Sequence, residues 1–182
     1  MKLDLHTHCH EATGLVPLTP EIVRKIVEAA RSRGLDGIAV TEHWDKNYGY
    51  KFHDMTKQEY GDSFLIIPGQ ELYVQIGHVV ELYLPNNTVF RFLAHPGYPY
   101  HPSYPGQFPD PNGMTKMHGV EIENGMNGFC IDKKQVMEVA QQYKLLLLRN
   151  SDAHFVDRIG QFYNEIELEE LYAKAEPLAP SP

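Results

Sequence analysis

Leu3-Asp4-Leu5-His6-Thr7-His8 opens the chain with alternating apolar and polar residues and ends in two histidines separated by a single position. Such alternation predicts a β-strand, in which residues i and i+2 point to one side. His6 and His8 therefore present two imidazoles to one point at the strand's end, the geometry of a metal-ligand pair. A His-x-His alone is a weak signal. It gains weight because His43, Glu71, His78, His95, Asp152 and His154 each stand at or near the end of a further apolar, strand-like run.

Those runs alternate with helical patterns. Thr19-Pro20-Glu21 reads as an N-cap, a proline at the first helical position and an acid in the first turn, and Ile22, Val23, Ile26, Val27, Ala29 and Ala30 form the stripe that follows, with Gly34 as the stop. Leu35 to Thr41 is expected to be a buried parallel strand delivering Glu42 and His43. Trp44 to Asp62 reads as a loop over the site with at most one short helix near Met55 to Tyr60. Phe64–Ile67, Leu72–Leu84 and Val89–His95 are extended with only turns between them, and Pro96 to Gly113, rich in proline and tyrosine, is expected to be an ordered aromatic rim. Val120–Glu123, a helix opened by Asp132, Leu145–Leu148, a strand over Gln161–Glu167 and an acidic helix over Glu169–Lys174 complete the pattern. The fold class is α/β, a small distorted (β/α)7-type barrel short of helices, with its site at the carboxyl ends of the strands.

At 182 residues, 42% of them hydrophobic, the chain is expected to form one domain over residues 1–175 with a loose tail over 176–182. No apolar run approaches the roughly 18 residues that span a bilayer. Met1-Lys2 leads straight into the first strand, so a cytoplasmic location is expected. Cys9 and Cys130 are too few for a disulfide framework. A net charge of −8 argues against duplex nucleic acid as a partner, whereas a small phosphorylated substrate stays open, because bound divalent cations would reverse the local sign of an acidic, histidine-rich pocket.

The segments His6-Thr7-His8, Thr41-Glu42-His43, Pro68-Gly69-Gln70-Glu71, Gly77-His78, Ala94-His95-Pro96-Gly97 and Ser151-Asp152-Ala153-His154, in this order and at these distances, resemble the polymerase-and-histidinol-phosphatase (PHP) superfamily of metal-dependent phosphoesterases. The resemblance runs from about residue 2 to residue 160. It implies two or three divalent cations, zinc, manganese or iron, and an activated water that hydrolyses a small phosphate ester. It further implies that His6, His8 and Asp152 hold one metal, that Glu71 bridges to a second held by His78 and His95, and that His43 and His154 hold a third. Glu71, His43 and His154 are the expected catalytic residues, the two histidines as donors to the leaving group. Where the family usually places an acid or histidine after the His-x-His pair, this chain has Thr13-Gly14, and Glu11, ahead of His10, is the expected replacement.

Glu42 takes the place of the family's more frequent Asp and is expected to support His43, and alternation sets Glu121 and Glu123 on one strand face, with Glu123 in a supporting role. Arg158, Arg149 and His101 are the candidates for contact with the substrate, and His53 and His118 are expected to ligate nothing. Two other readings remain open on sequence: an amidohydrolase-type metal hydrolase, against which Glu71 as a bridge and the lack of a strand-end lysine suited to carboxylation argue, and a non-catalytic PHP-like regulatory module.

Overall fold

A computed structural model describes residues 1–97 and 111–178. His101 and the aromatic loop from Tyr98 to Phe108 lie outside them. In chain order the elements are β1 (Lys2–Thr7), α1 (Cys9–Ala12), α2 (Pro20–Ser32), β2 (Gly37–Val40), α3 (Lys46–Tyr60), β3 (Leu65–Val74), β4 (Gly77–Leu84), β5 (Thr88–Leu93), α4 (Pro111–Met114), β6 (Gly119–Asn124), α5 (Lys133–Tyr143), β7 (Leu146–Asn150), β8 (Asn164–Glu165), α6 (Leu168–Tyr172) and β9 (Glu176–Pro177). Among them no helix is long and apolar enough to cross a membrane.

The strands form one nearly closed, barrel-like sheet in the order β7-β6-β5-β4-β3-β2-β1-β8. β1, β2 and β3 are parallel, as are β5, β6 and β7, and β4 runs against both its neighbours. Because β4 is reversed, its first residues lie at the same barrel end as the last residues of β1, β2, β3, β5, β6 and β7. His78, the second residue of β4, thus reaches the end where His6, His43 and His95 emerge.

Leu3, Leu5, Ala39, Ile67, Val80, Leu82, Phe90, Phe92 and Leu148 fill one buried cluster. Outside β1 to β3, α2 and α3 cover Ile38, Val40 and Ile66 with Val23, Ile26, Val27 and Phe52, while α5 lays Val136 and Ala140 against Val79, Leu93 and Val120. Thr19 caps α2 by accepting from the Ile22 amide, and Pro20 opens it, as its sequence predicts.

Three expectations need correction. Residues 46–60 are a 15-residue helix rather than a loop: Asp45 accepts from the Asn47 amide, and Tyr48, Phe52 and Thr56, four residues apart, are buried along one face. That helix packs so tightly that a Cβ on Gly49 would stand 2.9 Å from the Val40 carbonyl oxygen. The tail is tied down as far as Leu178, since β9 pairs with β5 at Thr88 and Val89, and Glu176 bonds Arg91 at 2.9 Å. Finally, Glu121 and Glu123 do not share a face. Two steps along β6, from Glu121 to Glu123, match one along β7, from Leu148 to Arg149, so a β-bulge lies between them.

A second bulge falls in β1. From Asp4 to Thr7 the strand takes three steps while β2 takes two, from Ile38 to Val40. One extra residue reverses the facing of everything beyond it. Leu3 and Leu5 belong to the barrel core, and past the bulge His6 joins them, 6.1 Å from the Phe92 ring.

β1 and β7 close the barrel largely through side chains. Asn150 Oδ1 accepts from the Leu5 amide, and Asp4 accepts from the Ser151 amide and hydroxyl and from the Gly160 amide. Asn164 accepts from the Arg149 amide and donates to the Arg149 carbonyl, behaving as a strand residue would. Burial pushes the Asp4 carboxyl up to about 6 against these donors.

Candidate metal centre

Two of the residues that bring the site together have unusual backbones. His95, just after β5, and Asp152, just after β7, adopt φ of 26° and 52°, a left-handed region that non-glycine residues occupy only when the surroundings enforce it. The Asp152 amide donates to the His6 carbonyl and the His8 amide to the Ala153 carbonyl, which fixes the two strand ends against each other.

At their meeting point four ligand atoms converge. His6 Nε2 and His8 Nε2 are 3.1 Å apart; Glu71 Oε2 lies 3.3 Å and 3.2 Å from them, and Asp152 Oδ1 3.5 Å and 3.2 Å. Four tetrahedral ligands about 2.0–2.1 Å from a zinc-like cation stand about 3.3 Å from one another. All four side chains are buried, and Glu71 Oε2 and Asp152 Oδ1 have no hydrogen-bond partner among the described residues. Two bare carboxylate oxygens in a closed pocket are costly unless a positive charge sits between them. The donor set therefore fits a divalent cation.

Glu71 extends the cluster in two directions. Its Oε1 lies 2.7 Å from His78 Nδ1 and 3.0 Å from His95 Nε2, forming a second group. Glu71 and His78 meet because Tyr73 pairs with His78 across the hairpin and Glu71, two residues earlier, shares its face. Oε2 also lies 3.2 Å from His43 Nδ1, and there a third group begins, comprising His8, Glu11, His43 and His154. Glu11 enters from α1, 3.7 Å from His43 Nε2 and 3.3 Å from His154 Nε2. His10 turns away to stack on Tyr48 at 4.7 Å.

The charge balance follows from this packing. Burial opposes protonation of His6 and His8, yet the neighbouring carboxylates outweigh it, raising His6 well above its ordinary range and His8 to about 9. Burial would likewise push Glu71 and Asp152 up, but the adjacent imidazoles hold both well below the usual carboxylate range. Without a cation, the surrounding carboxylates thus favour positive charge on the His6 and His8 imidazoles.

Sequence reasoning gave the supporting role to Glu123, whereas it is Glu121 that anchors the cluster from behind. It is fully buried, accepts from His6 Nδ1 at 2.9 Å and from the His95 amide at 2.7 Å, and takes two further bonds from Asn150 and Asn124. The bond to Nδ1 aims Nε2 of His6 at the cluster. Asn127 was missed; it donates to Asp152 Oδ2 at 3.0 Å. Glu123 instead pairs outward with Lys133 and Arg149, and Glu42 accepts from the His10 amide, bracing the turn that carries Glu11. Arg149 and Arg158 are exposed, the latter bonding Gln161 at 3.3 Å, and neither guanidinium touches a donor of the cluster among the described residues. His53 pairs with Asp54 on the surface, and His118 accepts from the Arg91 amide.

Residues 131–175 match the family model described as PHP-associated. A comparison with curated proteins finds no match. Among solved structures the chain is similar to a two-domain protein from Bacteroides vulgatus said to contain a "predicted PHP-like metal-dependent phosphoesterase", with a TM-score of 0.61 and 21% identity over 86% of this chain; this chain spans only 52% of that protein. It also resembles PsfC from Pseudomonas syringae (TM-score 0.63, 15% identity, 87% of this chain and 78% of the other). A protein from Bifidobacterium adolescentis, called a metal-dependent phosphoesterase by prediction, aligns over 97% of both chains with a TM-score of 0.69 and 13% identity. At these identities the shared feature is the fold. The PHP-associated match is confined to residues 131–175, and over the rest of the chain the likeness to these PHP-like structures is one of fold.

Proposed function

We propose that the chain is a metal-dependent phosphoesterase that hydrolyses a small phosphate ester. The observation that carries this reading is the position of Glu71, whose two carboxylate oxygens lie within 3.3 Å of five imidazole nitrogens drawn from all three donor groups. Under this reading His6, His8, Glu71 and Asp152 hold one cation, Glu71, His78 and His95 a second, and His8, Glu11, His43 and His154 a third. Zinc, manganese and iron all suit such imidazole and carboxylate sets. Cations bound this closely supply a Lewis acid for phosphate oxygens and lower the pKa of water toward neutrality.

The chain's own residues supply position and proton control. Glu121 fixes the His6 ring, and His154 donates from Nδ1 to the Asp152 carbonyl at 2.9 Å, leaving Nε2 directed toward Glu11. His43 and His154 are about a quarter exposed whereas His6, His8, Glu71 and Asp152 are closed off, so the His43 and His154 side is where a phosphate ester can enter. Similarity to proteins named, by prediction, as metal-dependent phosphoesterases supports the same reaction class. The test is phosphate release from a panel of small phosphate esters with Mn²⁺ or Zn²⁺. Asp152→Asn and chelator treatment should each abolish turnover in a folded chain, and activity retained after metal removal overturns the proposal.

A further inference from the structure

Four exposed aromatic side chains stand near the metal centre in sequence: Trp44 after His43, Tyr73 two residues beyond Glu71, Phe155 after His154, and Phe129 two residues beyond Asn127. Two of them also contact it. The Trp44 ring lies 6.1 Å from the His43 ring, Tyr73 meets His78 edge-on at 5.1 Å, and His43 and His78 are themselves 6.3 Å apart. Trp44 is 90% exposed and Tyr73 73%. Exposed rings set against histidines of the cluster offer flat surface on which another ring can stack.

We propose that Trp44 and Tyr73 form a stacking edge for a planar aromatic or heteroaromatic ring carried by the substrate, so that the preferred phosphate esters are those with such a ring near the phosphate. The inference rests on the phosphoesterase reading and adds the substrate class to it. His43, His154 and His78 are partly exposed, at 24%, 23% and 17%, whereas the inner donors are at 0–2%, so the open side of the cluster includes the two histidines against which these rings stand. A phosphoryl group satisfied by cations has no use for an apolar neighbour; a flat ring does. Lys46, Asn47 and Gln75, close to the two rings in sequence, are exposed and polar, which favours a small stacked group over a broad apolar contact.

Trp44 is the only tryptophan of the chain, so its emission reports on the edge directly. The zinc-loaded chain is titrated with phenylphosphonate and with methylphosphonate, neither of which can be hydrolysed, by calorimetry and by Trp44 fluorescence. Phenylphosphonate should bind about tenfold more tightly, in keeping with ring stacking on an aromatic side chain, and should change the Trp44 emission. Trp44→Ala and Tyr73→Ala should each reduce that ratio and leave methylphosphonate affinity unchanged, whereas Trp44→Phe should retain it. Equal affinities for the two phosphonates, or a preference that survives the double alanine variant, overturn the stacking edge while leaving the phosphoesterase reading intact. If neither phosphonate binds the zinc-loaded chain, the phosphoesterase reading fails and the stacking edge with it. If Trp44→Ala leaves the ratio unchanged and abolishes self-association or binding to phospholipid vesicles, the edge is a docking surface and the proposal is wrong.

Discussion

Glu121 shows how one side chain outside the donor set can govern it. Its two oxygens accept four hydrogen bonds in a fully buried position, two of them from donor residues of the cluster. In Glu121→Gln one of those oxygens becomes an amide nitrogen facing donors, so stability should fall by about 1–3 kcal/mol in urea denaturation. Zinc affinity should drop by about 10- to 100-fold as the His6 ring loosens. A variant that loses stability but binds zinc unchanged would confine Glu121 to a structural role. Protons on His6 and His8 lead to a second expectation. The His8 pKa rises from 6.5 to about 9 on folding, so its contribution to the metal-free chain is fully present below pH 6.5 and is lost as pH climbs through 9. Metal binding must release these protons and therefore strengthens over the same interval. Between pH 6.5 and 9 the Tm difference between zinc-loaded and metal-free chain should widen, and a constant gap would show that the site holds no such protons.

Secondary-structure elements place these residues, and the sequence revealed them unevenly. The alternation in Leu3–His8, the capped stripe of α2 and the apolar runs ending in His43, His95 and Asp152 were legible because each obeys a simple period. Two bulges were not. Each inserts one residue against a partner strand far away in sequence, and only pairing exposes it: in β1 it brings His6 into the barrel beside Leu3 and Leu5, and in β6 it keeps Glu121 inside while turning Glu123 out. Helix α3 was hidden for a different reason, since Tyr48, Phe52 and Thr56 form a narrow stripe in a polar segment whose helical state depends on packing against β2 and β3. Side-chain closure of the barrel was equally invisible. Asn164 makes four bonds to Arg149, Leu3 and Asn150 across the seam. Asn164→Ala should cost about 3 kcal/mol, since it strands a backbone donor and acceptor of Arg149 and fills nothing in return. A loss below 0.5 kcal/mol by urea denaturation would mean that the seam is held elsewhere.

Across the whole molecule the donors come from β1, α1, β3, β4 and the segments that follow β2, β5 and β7, while β6 supplies Glu121, which grips two of them. Cations at this centre would tie together the two sides of the seam, because His6 lies in β1, His8 follows it, and Asp152 follows β7. Between those strands the backbone contributes only a few bonds, among them those of the Asp152 and His8 amides. The β3-β4-β5 meander, in contrast, is paired along its whole length. Metal removal should therefore loosen the molecule unevenly. Zinc at about 1,000 times its Kd would add about 4 kcal/mol to stability, a Tm change on the order of 10 °C for a chain of this size. In hydrogen exchange, chelation should speed the amides of Leu5, His8 and Asp152 before those of Leu82 and Phe92, because opening the seam breaks the former and leaves the meander paired. If all these amides accelerate together, the cations stabilise the barrel as a unit and the seam is not its weak line.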